Sequence, residues 1–182
     1  MRSKDRSYER LIGPIETRMM RSIWRIVRDP QEAEDALQEA LTVIWRRLSR
    51  ICRHPNPQAL ILKICIDAAY DSLRRWNRHH RFFDREVARQ LGDHADSSAE
   101  HPVEGIVRRE TEAEVLQAIA RLPRKQAVAA LMRIVQDQPY DQIARALGCR
   151  EATVRIHVSR ARTRLSRWLA HLNPRSSTEV LP

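Results

Sequence analysis

Apolar residues along the chain recur at three- and four-residue intervals and nowhere alternate over a run long enough for a strand. Ala33, Leu37, Ala40, Leu41, Ile44 and Leu48 form one such series, and the stripe it makes predicts an amphipathic helix through about Leu48. The start is written just upstream, in Asp29-Pro30-Gln31-Glu32. Asp can cap the helix, Pro suits its first turn, and Glu stands at the capping-box position. Ile12, Ile15, Met19, Ile23 and Ile26 predict an earlier helix over about 15–27. Asn56-Pro57 repeats the cap-then-proline signal. From Ala59 to Tyr70 apolar residues then cover nearly the whole circumference, as in a helix enclosed by neighbours. After Leu73 the character changes to Arg74-Arg75-Trp76-Asn77-Arg78-His79-His80-Arg81, basic with an embedded aromatic.

Between Leu91 and Pro102 lies a polar stretch without periodicity that holds Gly92, Ser97, Ser98 and several acids. It predicts a linker. Beyond it Val115, Leu116, Ile119 and Leu122 mark a helix stopped at Pro123, and Val128, Leu131 and Val135 mark another. Ile143, Ala144 and Leu147 make one short apolar face, Gly148 can take the left-handed conformation that ends a helix, and a new series resumes at once. That is helix-turn-helix punctuation. In the second helix Val154, Val158, Ala161, Leu165, Trp168 and Leu172 line a single stripe.

Composition agrees with an all-α protein, since helix formers dominate and Gly occurs only 4 times in 182 residues. A hydrophobic share of 42% over that length fits two small helical domains. The expected boundaries are 1–90 and 109–173, with a flexible acidic linker at 91–108 and a frayed tail at 174–182. Formal charge is +10, which argues for a polyanionic partner. It divides as +7 over residues 1–90, −3 over 91–110 and +6 over 111–182. The amino terminus is interrupted by charges and has no apolar signal segment, and the run from Ala59 to Leu62 stops at Lys63. No membrane insertion and a cytoplasmic location are expected. Cys52, Cys65 and Cys149 lack the paired spacing of a zinc site or disulfide framework and are read as reduced, buried or partly buried residues. No paired carboxylates, nucleophile with base, phosphate loop or metal set is evident, so neither catalysis nor a cofactor is expected.

On the second helix of the helix-turn-helix, the positions left outside the stripe include Arg150, Glu151, Thr153, Arg155, Ile156, His157, Ser159 and Arg160. They mix groups that read base edges with groups that hold phosphates, which suits a helix lying in a major groove. Near the other end of the chain, Glu34, Asp35, Gln38 and Glu39 place acids and an amide on one helix of an otherwise basic half, a patch unsuited to DNA and suited to a basic protein. Arg74, Arg75, Trp76, Asn77, Arg78 and Arg81 combine cations with a ring on which an unpaired base can stack. Packing of Trp76 within its own domain is an equal reading.

Three stretches together resemble the bacterial RNA polymerase sigma factors of the extracytoplasmic-function (ECF) group. Asp29 to Leu48 resembles the DxxxAEDxxQE helix of sigma region two, Pro57 to Arg75 the buried helix that follows, and Leu122 to Leu165 sigma region four. The resemblance implies a protein that binds core RNA polymerase and directs promoter-specific initiation. Region two would clamp the polymerase β′ coiled coil through Glu34, Asp35, Gln38 and Glu39, and would melt and capture the minus-ten strand. Asp67, Tyr70, Arg74, Arg75, Trp76, Asn77, Arg78 and Arg81 would face that strand. Region four would read the minus-thirty-five duplex through Arg150, Glu151, Thr153, Arg155, Ile156, His157, Ser159 and Arg160, and touch the β flap. An anti-sigma factor is a further partner of the kind the family implies.

The chain departs from the family pattern at several of these positions. Asp67 stands at the usual Asn, and an ionised carboxylate only accepts hydrogen bonds and repels phosphate. Leu60 replaces a usual Trp, Arg150 a usual Ser cap, Gln142 a Glu, Ala152 a Gly and His157 an Arg. These departures imply unusual promoter preferences. The alternative reading is a sigma-like DNA-binding regulator, or a decoy for an anti-sigma protein, that does not support initiation.

Overall fold

The computed structural model describes residues 2–90 and 103–172, and every regular element within them is helical. In chain order these are α1 (Arg2–Ile12), α2 (Glu16–Trp24), α3 (Pro30–Arg46), α4 (Leu48–Cys52), α5 (Pro57–Gln90), α6 (Val103–Arg121), α7 (Arg124–Ile134), α8 (Tyr140–Leu147) and α9 (Glu151–Trp168). The all-α, two-domain architecture expected from periodicity is what the chain adopts, with α1–α5 in one group and α6–α9 in the other.

Local signals set the helix starts. The Glu32 amide donates to the Asp29 carboxylate at 2.9 Å, and the Ala59 amide donates to Asn56 Oδ1 at 3.0 Å. Each bond satisfies a first-turn N–H that the helix itself leaves without a partner. The expected capping box is only half built: Glu32 does not turn back to its own cap, and its Oε2 instead accepts from Ser72 Oγ on α5 at 2.7 Å. A cross-helix hydroxyl there replaces the reciprocal local bond. The first helix, α1, was not legible as an element because charges interrupt it, yet Tyr8, Leu11 and Ile12 keep a three-and-four spacing that reaches the core.

α3 packs on α5 through Ala33, Ala36, Ala40 and Ile44, all buried. Small residues at three of these four positions let the two helices approach closely, so the large α5 residues Ile61, Leu62 and Ile66 fill the space between. α5 does not end near Tyr70. It continues to Gln90 over 34 residues, so the basic segment is the distal part of the central helix. Cys65 is buried within it, and burial pushes its thiol pKa up to about 12. Cys149 is half-buried, whereas Cys52, the last residue of α4, is exposed, contrary to the expectation of full or partial burial.

α7 is buried from Gln126 to Met132 and packs on α9 and on α5. One continuous apolar cluster therefore runs from Ile12 and Met19 through Ile66 to Met132, Val154 and Ala161. The two helical groups are in direct contact. Arg25 donates to the Val135 carbonyl at 2.9 Å, and Gln136 Nε2 donates to the Leu62 carbonyl at 3.1 Å. Of the stretch read as a linker, residues 91–102 lie outside the described residues, as does the tail at 174–182, and 103–108 form the first turns of α6.

Candidate nucleic-acid interface

The turn between α8 and α9 follows from one glycine. Gly148 has φ 64° and ψ 39°, a left-handed conformation that costs a side-chain-bearing residue about 1–2 kcal/mol. In that geometry the Cys149 amide reaches back to the Ala144 carbonyl at 3.0 Å and the Gly148 amide to the Arg145 carbonyl at 3.3 Å, the paired bonds of a Schellman motif. α9 begins three residues after Gly148, at Glu151, with Arg150 as a cap that lends no side-chain bond. Val154, Val158 and Ala161 are buried against α7 and α8, and this fixes the rotation of α9.

The opposite face is polar and basic, and the predicted readers divide into two sets. Arg150, Arg155, Ile156, Ser159 and Arg160 are exposed. Ile156 keeps 49% exposure, an apolar residue in open solvent at a position suited to a thymine methyl group. Arg155 is held in place: its Nε and Nη2 donate to Glu151 Oε1 at 3.0 and 2.6 Å, and its guanidinium stacks 4.3 Å from the Tyr140 ring centroid. Glu151 is thus a positioning carboxylate for Arg155.

Thr153 and His157 form the second set. They are half-buried and turn toward α5, where they share a cavity of about 380 Å³ with Lys63, Asp67, Arg124 and Lys125. Burial lowers the His157 pKa from the ordinary imidazole value, and the neighbouring Lys125 and Arg160 charges lower it further. Its Nδ1 is buried without a hydrogen-bond partner.

On α3, Glu34, Asp35, Gln38 and Glu39 are all exposed and share one face. A neighbouring groove of about 590 Å³ is floored by Met20, Trp24, Ala33 and Leu37, with Glu34 at its edge. Met20 and Trp24 were missed in the sequence. Their signal is that both are large apolar residues standing off the buried stripe of α2, and each keeps 44% exposure.

The α5 residues expected to face single-stranded DNA are not all exposed. Arg74 and Arg78 are exposed, and Arg75 pairs with Glu39 at 3.1 Å. Tyr70 is wholly buried, its hydroxyl donating to the Leu122 carbonyl at 2.5 Å, so its ring offers no stacking face in this structure. The cause is α6–α7, which packs over that side of α5. Asn77 is also buried, with Oδ1 unpaired. Trp76 is half-buried against the core and lines a cavity with Ile26, Val27, Leu73 and Leu116. Asp67 is half-buried, accepting from Lys63 at 2.6 Å and Arg124 at 3.0 Å. Arg81 lies on α5 beyond the described side chains. Arg124 is the second omission from the sequence reading, because its partners stand more than fifty residues away.

Among the described residues there is no cluster of His, Cys, Asp and Glu that could hold a metal ion, and no helix long and apolar enough to cross a membrane. A two-domain helical chain that presents a basic helix beyond a glycine-capped turn is a helix-turn-helix protein. The family model described as sigma-70, region 4 matches residues 112–165. The chain is 30% identical over 176 residues to the RNA polymerase sigma-H factor of Pseudomonas aeruginosa, covering 94% of this chain and 90% of that one. It is likewise 30% identical to the ECF RNA polymerase sigma factor SigM of Mycobacterium tuberculosis, over 80% of this chain and 68% of that protein. The sigma factor RpoE of Bartonella quintana, solved in complex with the anti-sigma factor NepR, shares the fold with a TM-score of 0.50 at 21% identity, covering 90% of this chain and 96% of that one. The chain belongs to the RNA polymerase sigma factors, in their ECF group. These matches indicate no catalytic family.

Proposed function

We propose that this protein joins core RNA polymerase in the cytoplasm and directs promoter-specific initiation by spacing two grips along the promoter. Residues 1–90 act as sigma region two and residues 109–173 as sigma region four. The observation that carries the reading is the exposed acidic and amide face of α3, Glu34, Asp35, Gln38 and Glu39, on a chain of net charge +10. A protein that only bound DNA would gain nothing from it, whereas a basic coiled coil of the polymerase β′ subunit is its electrostatic complement. Arg74 and Arg78, with Arg75 and Arg81 beside them, supply the charge for the minus-ten strand. The exposed face of α9 reads the minus-thirty-five duplex, with Arg150 and Arg160 on phosphates and Arg155 and Ile156 toward base edges. The β flap meets the carboxy-terminal group.

Reconstitution tests this. Purified protein with core polymerase is expected to yield discrete transcript start sites from fragmented genomic DNA, and mapping those starts gives the two promoter elements. Association without any transcript would leave the second reading, a regulator or anti-sigma decoy. The observation that favours it is Asp67, a carboxylate occupied by two cations where the family carries an amide. An anti-sigma protein is a partner under both readings.

A further inference from the structure

We propose that the cavity bordered by α4, α5 and α8 is a binding site for a condensed phosphate. Four cations, Arg47, Arg50, Lys63 and Arg145, meet there around an apolar floor, and among the described residues no carboxylate lines it. The ligand class is the linked-phosphate group itself, free as an inorganic polyphosphate or carried as the tail of a nucleotide. None of the four cations belongs to the polymerase and promoter contacts proposed above, so the site goes beyond that reading.

Helical spacing brings the cations together. Arg47 is the residue between α3 and α4, and Arg50, whose amide donates to the Arg47 carbonyl at 2.9 Å, stands one turn further on. Lys63 comes from the first half of α5 and Arg145 from the last turn of α8. Leu60, Ile64 and Leu147 supply the apolar lining. His54 is a wall and not a ligand group, because its Nδ1 lies 2.8 Å from the Asn56 carbonyl and its Nε2 3.2 Å from the Arg145 carbonyl. Other cations around α5 are answered by carboxylates: Arg75 by Glu39, and Arg124 by both Asp67 and Asp71. Among the described residues no ion pair engages Arg47 or Arg50, and both are exposed. Lys63 is paired with Asp67 at 2.6 Å but keeps further N–H donors. Arg145 has Asp141 at 3.5 Å, an exposed pair that is readily given up.

Like charges gathered around one cavity repel, and an anion drawn into it relieves the repulsion. Size then selects the anion. The cavity volume, about 270 Å³, is room for roughly nine waters at about 30 Å³ each. It falls below the range of about 300–1,000 Å³ for pockets that enclose a drug-sized ligand. An acidic peptide or a large organic ligand is too bulky to enter whole. A single carboxylate or sulfate enters but leaves most of the cationic charge unanswered. Linked phosphates concentrate several negative charges in that space, and the guanidinium forks of Arg47, Arg50 and Arg145 match phosphate oxygens with paired hydrogen bonds. The apolar lining offers a surface for the ring of a nucleotide whose phosphates lie among the cations.

The experiment is a titration of the full chain with inorganic tripolyphosphate at low salt, read by calorimetry and by backbone amide NMR. One-to-one saturation is expected, with the largest amide shifts at Arg50, Lys63 and Gly148. Arg47→Ala/Arg50→Ala is expected to weaken binding about tenfold or more, as for the loss of two charged hydrogen-bonding groups. Arg6→Ala/Arg10→Ala, an equal charge change at exposed positions of α1, leaves it within about twofold, because screening separates those charges from the site. Arg145→Ala, on the opposite wall, weakens binding as well, so the result does not hang on one variant, and far-UV circular dichroism checks that each keeps its helices. ATP in place of tripolyphosphate distinguishes the two sources: tighter binding assigns the site to a nucleotide with its ring on Leu60, Ile64 and Leu147, and equal or weaker binding assigns it to free polyphosphate. Equal losses in the α4 and α1 variants, binding that never saturates, or shifts scattered over arginines elsewhere overturn the site and leave only the general attraction of a chain of net charge +10 for anions. Sulfate bound as tightly as tripolyphosphate overturns the ligand class. No readout involves polymerase, so failure of the initiation role is detected separately, as absence of core association.

Discussion

Arg75 on α5 lies 3.1 Å from Glu39 on α3, so the basic segment and the acidic face are joined by an ion pair. Both partners are substantially exposed, and such a pair contributes about 0–1 kcal/mol. Its significance is in apportioning charge: Glu39 is already partly answered within the chain, whereas Glu34 and Asp35 have no such partner among the described residues.

Glu34→Lys/Asp35→Lys is therefore expected to weaken core polymerase association by about 2–5 kcal/mol, because two attractive groups become repulsive at a desolvated contact. Binding measured by fluorescence anisotropy, beside an unchanged thermal melt, checks it. Undiminished affinity removes α3 from the polymerase contact.

Arg155→Ala is expected to cost about 1–3 kcal/mol at a single base position. Binding of holoenzyme to promoter variants substituted one base at a time reads this directly. A loss spread evenly over all sequences makes Arg155 a phosphate contact instead. Glu151→Ala, which frees the guanidinium, is expected to blur the preference at the same position while leaving the fold intact.

Gly148→Ala has space for the added methyl group, since nothing lies within 4 Å of it, but φ 64° is unfavourable for alanine. A loss of about 1–2 kcal/mol in urea denaturation is expected, and the accompanying misdirection of α9 lowers duplex affinity further. If stability and affinity both stay at the wild-type level, the glycine turn does not fix α9.

Acid should loosen the structure around His157. Its folded pKa lies below the ordinary imidazole value, from burial first and then from Lys125 and Arg160; Lys63, Asp67 and Arg124 face it across the cavity. The unfolded chain then binds the proton more readily, so stability is full above the ordinary value and falls as pH drops through the folded one. His157→Gln is expected to flatten that acid-side slope in denaturation midpoints compared between neutral and mildly acidic buffer. An identical slope in wild type and variant assigns it to other histidines.

Features specified by neighbours in the chain were legible in the sequence: the Asp29 and Asn56 caps, the Gly148 turn and the stripe of Val154, Val158 and Ala161 all depend on residues within a turn or two. What could not be read depends on distant residues. Tyr70 looks available for stacking until α6–α7 covers it, Glu32 looks like half of a capping box until Ser72 approaches, and Arg124 has no meaning until Asp67 and Asp71 are beside it. Met20 and Trp24 were visible as misplaced apolar residues, but only the fold shows them bordering the acidic face.

The length of α5 has one more consequence. At 34 residues it spans about 50 Å, buried from Ala59 to Leu73 over much of its circumference and exposed at Arg74 and Arg78. Arg74 and Arg78 therefore share one helical axis with Asp67, Tyr70 and Asp71, about one to three turns away, so a ligand held by these arginines would be registered against the buried part of the same helix.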